Sequence, residues 1–200
     1  MATYSSEYIF EISKQKYEKI QEIITEVCEI VKTVQPDLDE ETVRGCFDLV
    51  IQSCMLNAAA TDGKLEKNEV NFITGVTSYA DILLLVNAQI KRTSPAFEGF
   101  SWEQVAGFNS EQLRKVSVAA AAIVDQYANT FVEIFATVDK IMMDRDYRAE
   151  LNGAVGSLFV GLAGVDGDDL DSERAVKEGC VAFSVYDKMI DKKWKRIVEE

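Results

Sequence analysis

Glu18-Lys-Ile20-Gln-Glu22-Ile23-Ile24-Thr-Glu26-Val27-Cys28-Glu29-Ile30-Val31-Lys-Thr-Val34 decides the fold class. Its apolar residues, Ile20, Ile23, Ile24, Val27, Ile30, Val31 and Val34, recur every three or four positions, while Glu18, Glu22, Glu26 and Glu29 fall elsewhere. That is the period of one face of an α-helix, and it predicts a helix over about Glu7 to Val34. Pro36 stops it, because proline lacks the backbone donor a helix needs.

The same period continues outward. Asp37 or Asp39 can cap a second helix on the stripe Val43, Phe47, Val50, Ile51, Cys54 and Ala58, which Asp62-Gly63 ends. A third helix is expected from about Glu66 to Lys91, on Val70, Ile73, Tyr79, Ile82, Leu83 and Val86. Residues 92–110 break the pattern with Pro95, Gly99 and Gly107 and hold Phe97, Phe100, Trp102 and Phe108, a connector in which Ser101-Trp-Glu-Gln104 has capping-box spacing. A long helix follows from Ser110 to about Asp144. Two more cover Tyr147 to Gly164 and residues 172–198, the last on Val176, Cys180, Phe183, Met189, Ile190 and Trp194. Gly153, Ser157 and Gly161 lie four apart and are expected to pack closely on Ala119 to Ala122. The expected architecture is all-α: about seven helices in one domain over 1–200, with an N-terminal helix (1–36), a first hairpin (37–91), the aromatic connector (92–110) and a second half with its own hairpin (111–200).

Composition narrows the chemistry. The 200 residues carry 21 Lys and Arg against 34 Asp and Glu, a net charge of −13, and no histidine. Without imidazole there is no Ser-His-Asp triad, Cys-His pair, zinc-binding HExxH helix or histidine-held haem. The acidic surplus opposes the counterion release that drives binding to nucleic-acid backbones, so no nucleic-acid partner is expected and cations suit better. Cys28, Cys46, Cys54 and Cys180 show no CxxC pairing and are read as free thiols, Cys46 and Cys54 as apolar packing. The longest uncharged apolar stretch, the 15 residues from Leu151 to Val165, falls short of the roughly 20 that span a bilayer. Met1-Ala-Thr-Tyr lacks a signal-peptide pattern, and a cytoplasmic location is expected. The basic stretch Lys188 to Arg196 is nearly cancelled by Asp187, Asp191, Glu199 and Glu200, which leaves no more than peripheral membrane association open.

The chemistry-bearing feature is a repeated loop. Ala58-Ala-Ala-Thr-Asp62-Gly63-Lys-Leu65-Glu66-Lys-Asn-Glu69 and Leu162-Ala-Gly-Val-Asp166-Gly167-Asp168-Asp169-Leu170-Asp171-Ser-Glu173 each place Asp-Gly six residues, counted from the glycine, before a Glu. They stand 104 residues apart, as an internal duplication would leave them. The pattern matches the second half of an EF-hand loop, where glycine makes the turn and the last Glu chelates calcium. The early ligand positions fall on Ala58 and Ala60 in one loop and on Leu162 and Gly164 in the other, so each site would have to borrow ligands. The second loop, with Asp166, Asp168, Asp169, Asp171 and Glu173 in eight residues, is the better cation site. Helix-turn chemistry alone also accounts for the glycines and for acids at the start of a following helix.

At these residues the chain resembles the TerB-like family of tellurite-resistance and stress-associated helical domains: Ala-Ala-Ala-Thr-Asp62-Gly63-Lys-Leu-Glu-Lys-Asn-Glu69-Val and its counterpart from Leu162 to Glu173 look like the family's Asp-Gly helix breaks. The likeness spans about residues 42–90 and 147–198. It implies an all-α bundle with acidic metal-binding loops, no established enzyme activity, and work in cytoplasmic stress responses with protein partners. The acidic positions carried over are Asp62, Glu69, Asp166 and Glu173. The long first helix, the aromatic insertion after Lys91 and the one-residue shift of the second loop depart from the family pattern.

The leading expectation is a non-enzymatic module binding a divalent cation, calcium first, through Asp62, Glu69, Asp166, Asp168, Asp169 and Glu173, with no organic cofactor. The alternative is a metal-independent module that docks a protein partner on Phe97, Phe100, Trp102 and Phe108. A third reading is a metal-dependent phosphohydrolase using Asp139, Asp144 and Asp146, for which no glycine-rich phosphate loop or arginine cluster is present.

Overall fold

The computed structural model describes residues 5–60, 63–142, 144–165 and 172–199, with side chains of the last segment from 176 to 196. Among them are eight helices and no strand: α1 (Ser6–Lys32), α2 (Glu40–Ala59), α3 (Lys67–Val76), α4 (Ile82–Thr93), α5 (Trp102–Val105), α6 (Ser110–Ile141), α7 (Tyr147–Gly164) and α8 (Ser172–Glu199). The periodic reading of an all-helical bundle holds, and local chemistry sets the helix starts. The side chains of Ser5, Asp39, Asp81, Asn109 and Asp146 accept from the first-turn amides of α1, α2, α4, α6 and α7. Between the two candidates ahead of α2, the cap is Asp39.

Helix α2 is the axis of the bundle. Thirteen of its 20 residues are buried, which a one-sided amphipathic helix cannot achieve. It packs chiefly on α6, where the Phe47 and Phe131 rings meet edge to face at 5.7 Å, and also on α8 and α1. The buried apolar side chains of all eight helices form one contiguous cluster.

Three expectations are corrected. The third helix is two: α3 ends at Val76, α4 begins at Ile82, and the elbow Thr77–Asp81 between them is non-helical. Tyr79, read as a core position, sits on this elbow and is 46% exposed. The second correction concerns the small residues of α7, which do not pack on Ala119 to Ala122. Helix α7 lies on α1 and α8, with few contacts to α6. A methyl on Gly161 would collide with Ser13 of α1 and come within 3.0 Å of the Phe72 ring, whereas Gly153 faces open space. From the other side, Gly179 of α8 lets the two backbones close in, since a Cβ there would lie 2.5 Å from the Val160 Cα. Third, the buried stripe of α8 is Gly179, Tyr186, Ile190 and Trp194; Val176, at 49%, and Cys180 are exposed.

The turn between α6 and α7 is tied to α1 through Arg145. Its guanidinium bonds the Glu26 and Glu150 carboxylates and stacks 4.3 Å over the Tyr147 ring, while the Tyr147 hydroxyl donates to Glu26 at 2.7 Å. No helix among the described residues is long and apolar enough to cross a membrane.

Candidate functional site

The two Asp-Gly loops leave α2 and α7 at the same end of the bundle. Val165, directly before Asp166, accepts a hydrogen bond from the Asn68 amide at 3.2 Å and another from the Ser6 hydroxyl at 3.2 Å. Asn68 lies in the first turn of α3, just after the first loop, so residues 97 positions apart meet between the flanks of the two loops. Gly63, at φ +84°, takes the left-handed conformation that glycine alone adopts without strain, and its carbonyl accepts from Ser110 of α6 at 3.4 Å. Asp62, Asp166, Asp168 and Asp169 lie outside the described residues, as does the side chain of Glu173. Glu69 is buried, and its Oε2 accepts the Glu66 backbone amide at 2.8 Å, the return half of a capping box at the start of α3. Among the described residues no three His, Cys, Asp or Glu side chains are grouped to hold a metal ion.

The aromatic connector folds onto the core. Phe108 is buried; Phe97, Phe100 and Trp102 are half-buried and pack against it. Successive rings meet edge to face, Phe97 on Phe100 at 4.5 Å and Phe100 on Phe108 at 4.4 Å. Asn87 of α4 clamps this stack by bonding both backbone groups of Phe100, its Nδ2 donating to the carbonyl and its Oδ1 accepting from the amide, each at 2.9 Å. Ser101 and Gln104 form the expected capping box of α5, with the Ser101 amide donating to Gln104 Oε1 at 2.8 Å. The Trp102 indole donates to Asp81 Oδ1 at 3.3 Å, joining connector to elbow.

A third constellation, which the periodicity gave no reason to single out, is the buried polar network that makes the elbow. Asp48 of α2 is fully buried and accepts the Tyr17 hydroxyl from α1 (2.8 and 2.9 Å) and the backbone amides of Ser78 (3.1 Å) and Tyr79 (2.7 Å). One turn on, Gln52 accepts the Ile82 amide at 2.8 Å and donates to the Ala80 carbonyl at 2.7 Å and to Thr77 Oγ1 at 2.5 Å. These two side chains replace the helical hydrogen bonds that the elbow forgoes. Burial pushes the Asp48 carboxyl up to about 6, against the pull of the Tyr79 amide, Tyr17 and Ser78; burial and the neighbouring carboxylate push the Tyr17 phenol up. Arg44 closes the network outside. It pairs with Glu40 at 2.7 Å, bonds Gln21 and Thr25 of α1, and lies 5.2 Å over the Tyr79 ring.

Among the described residues the three aspartates of the hydrolase reading form no metal-holding group, although the Asp146 charge reaches Asp139. Asp146 caps α7, accepting the Ala149 amide at 2.8 Å, and Asp144 is exposed. Asp139 is half-buried, its carboxyl raised by burial and by Asp146 and lowered by Arg148. A cleft of about 500 Å³ is wide open between the turn that joins α1 to α2 and Thr130 of α6, and the Asp39 carboxylate on its wall serves as the cap of α2.

Compared with protein-family models, with curated proteins and with solved structures, the chain matches none.

Proposed function

We propose that the chain is a non-enzymatic helical module that binds a hard divalent cation, calcium first, at the bundle end where its two Asp-Gly loops emerge, and serves as a scaffold or sensor in a cytoplasmic stress response. The observation that carries this reading is the Asn68–Val165 hydrogen bond. Calcium takes 6 to 8 oxygen ligands, and each loop by itself lacks the early positions that an EF-hand fills. Bringing the loop flanks together lets one loop lend oxygens to the other, which is what the sequence requires of any site here. The ligands proposed are Asp62, Asp166, Asp168, Asp169 and Glu173, with Glu69 keeping its place as a cap. The TerB-like assignment rests on the two loop motifs.

The test is thermal unfolding of chelator-stripped protein with calcium, magnesium or manganese, on wild type and on the double variant Asp166→Asn, Glu173→Gln. An ion that binds only the folded state raises stability by about 2.7 kcal/mol at a concentration of 100 dissociation constants. The reading expects an ion-specific rise that the double variant loses. No rise with any of the three ions overturns it.

A further inference from the structure

The elbow Thr77–Asp81 is held shut by side chains of another helix, and the strongest of its bonds end on one carboxylate. Asp48 receives the Ser78 and Tyr79 amides, the Ala80 backbone also acts on it, and the Tyr17 hydroxyl is likewise an uncharged donor. The titratable group that faces it is Tyr17 from α1; Tyr79 meets it through its backbone amide, and on the helix of Asp48, Arg44 is engaged with Glu40 and the Tyr79 ring. A carboxylate sealed from water with no cation beside it carries a free-energy cost that opening the elbow would relieve. A neutral carboxylic acid carries no such cost. With the proton on Oδ1, 2.8 Å from the Tyr17 oxygen, Oδ2 still accepts both elbow amides.

We propose that Asp48 makes the elbow an acid-tightened latch: a proton on this sealed carboxyl holds the elbow closed, and its loss lets the segment between α3 and α4 open. The last residue of the elbow carries the motion onward. Asp81 caps α4 and holds the Trp102 indole, so an opened elbow releases the edge of the aromatic connector. The latch therefore couples proton loss at the core to exposure of the aromatic connector Phe97, Phe100, Trp102 and Phe108.

Amide hydrogen exchange, resolved residue by residue by NMR on the full chain, tests this. The ratio of intrinsic to observed exchange rate at Ser78 and Tyr79 is expected to rise by roughly 25-fold between about pH 7 and about pH 4.5. Asp48→Asn, a neutral isostere of the protonated acid, is expected to hold that ratio at a level that does not vary with pH. Tyr17→Phe removes a donor to the charge and is expected to move the rise to higher pH. Val132 in α6 serves as the reference for opening of the whole molecule, and the elbow amides are expected to exchange faster than it. A flat ratio in the wild type, an unchanged slope in Asp48→Asn, or elbow amides no faster than Val132 would each overturn the latch. If Asp48→Asn does not fold, Tyr17→Phe decides, and a rise that stays in place overturns it.

Discussion

At the residue scale, three positions carry consequences out of proportion to their size. Asp48 is the first. Its folded pKa, about 6, stands above the ordinary carboxylate value, so the native state holds an extra proton between about pH 4 and pH 6. The stabilisation is fully present below that window and is lost as pH rises through it, by up to about 3 kcal/mol for a shift near two units. Urea unfolding across this range is expected to show global stability falling toward neutral pH in the wild type and a smaller dependence in Asp48→Asn. The glycines of α7 give the second and third cases. Gly161→Ala drives a methyl into Ser13 and the Phe72 ring and is expected to cost about 1–3 kcal/mol. Gly153→Ala meets nothing and is expected to stabilise by about 1 kcal/mol, the helix propensity gained. Thermal melts of the pair would show opposite signs from the same substitution on one helix. Both glycines were legible in the sequence as a small-residue stripe, but that Gly161 is hemmed in while Gly153 is open depends on how α1 and α3 pack on α7, through Ser13 and Phe72.

At the element scale, α3 and α4 show where periodicity stops being informative. The apolar positions from Val70 to Val86 keep helical spacing across the elbow, because both flanking helices bury toward the same core. What breaks the helix is a pair of buried polar side chains, Asp48 and Gln52, four apart on a different helix. A reader of the sequence sees both residues but not that their partners are backbone amides 30 positions downstream. By contrast, the caps at Asp39 and Ser101 were legible, since capping is a local bargain between neighbours. Glu69 tests which of its two readings holds. Glutamine serves a capping box as glutamate does, so Glu69→Gln is expected to leave stability nearly unchanged, while Glu69→Ala is expected to lose about 1 kcal/mol. If Glu69→Gln instead abolished an ion-dependent rise in melting temperature, the side chain would be a ligand as well. The Asn87 clamp belongs to this scale too. Asn87→Ala leaves the amide and carbonyl of Phe100 without their partner and is expected to cost about 1–3 kcal/mol, with faster exchange confined to the connector.

At the scale of the whole molecule, net charge and the position of the loops govern. A surplus of 13 negative charges repels itself in the compact state, so monovalent salt alone is expected to raise the melting temperature modestly by screening. A specific divalent effect must therefore exceed that of sodium chloride at equal ionic strength. The class of the fold and the aromatic connector were readable from spacing and from two prolines, whereas the break between α3 and α4 was not. The arrangement at the loop end was not: the repeat offset of 104 residues says that two similar loops exist, but the Asn68–Val165 bond that joins their flanks is a product of how α3 and α7 stack.

The cysteines offer an experimental handle that the native chain already contains. Cys28, Cys46 and Cys54 are buried, and burial pushes the Cys28 thiol up to about 11, so none of the three meets a reagent in the folded state. Cys180 stands in solvent on α8. A maleimide dye is expected to couple once per native molecule and four times after denaturation, with no substitution required. That dye would ride about 21 Å along the helix from Trp194, at 1.5 Å per residue, a separation suited to energy transfer. The folded chain thus comes equipped as its own spectroscopic ruler, able to report whether α8 stays whole when ions, protons or partners arrive.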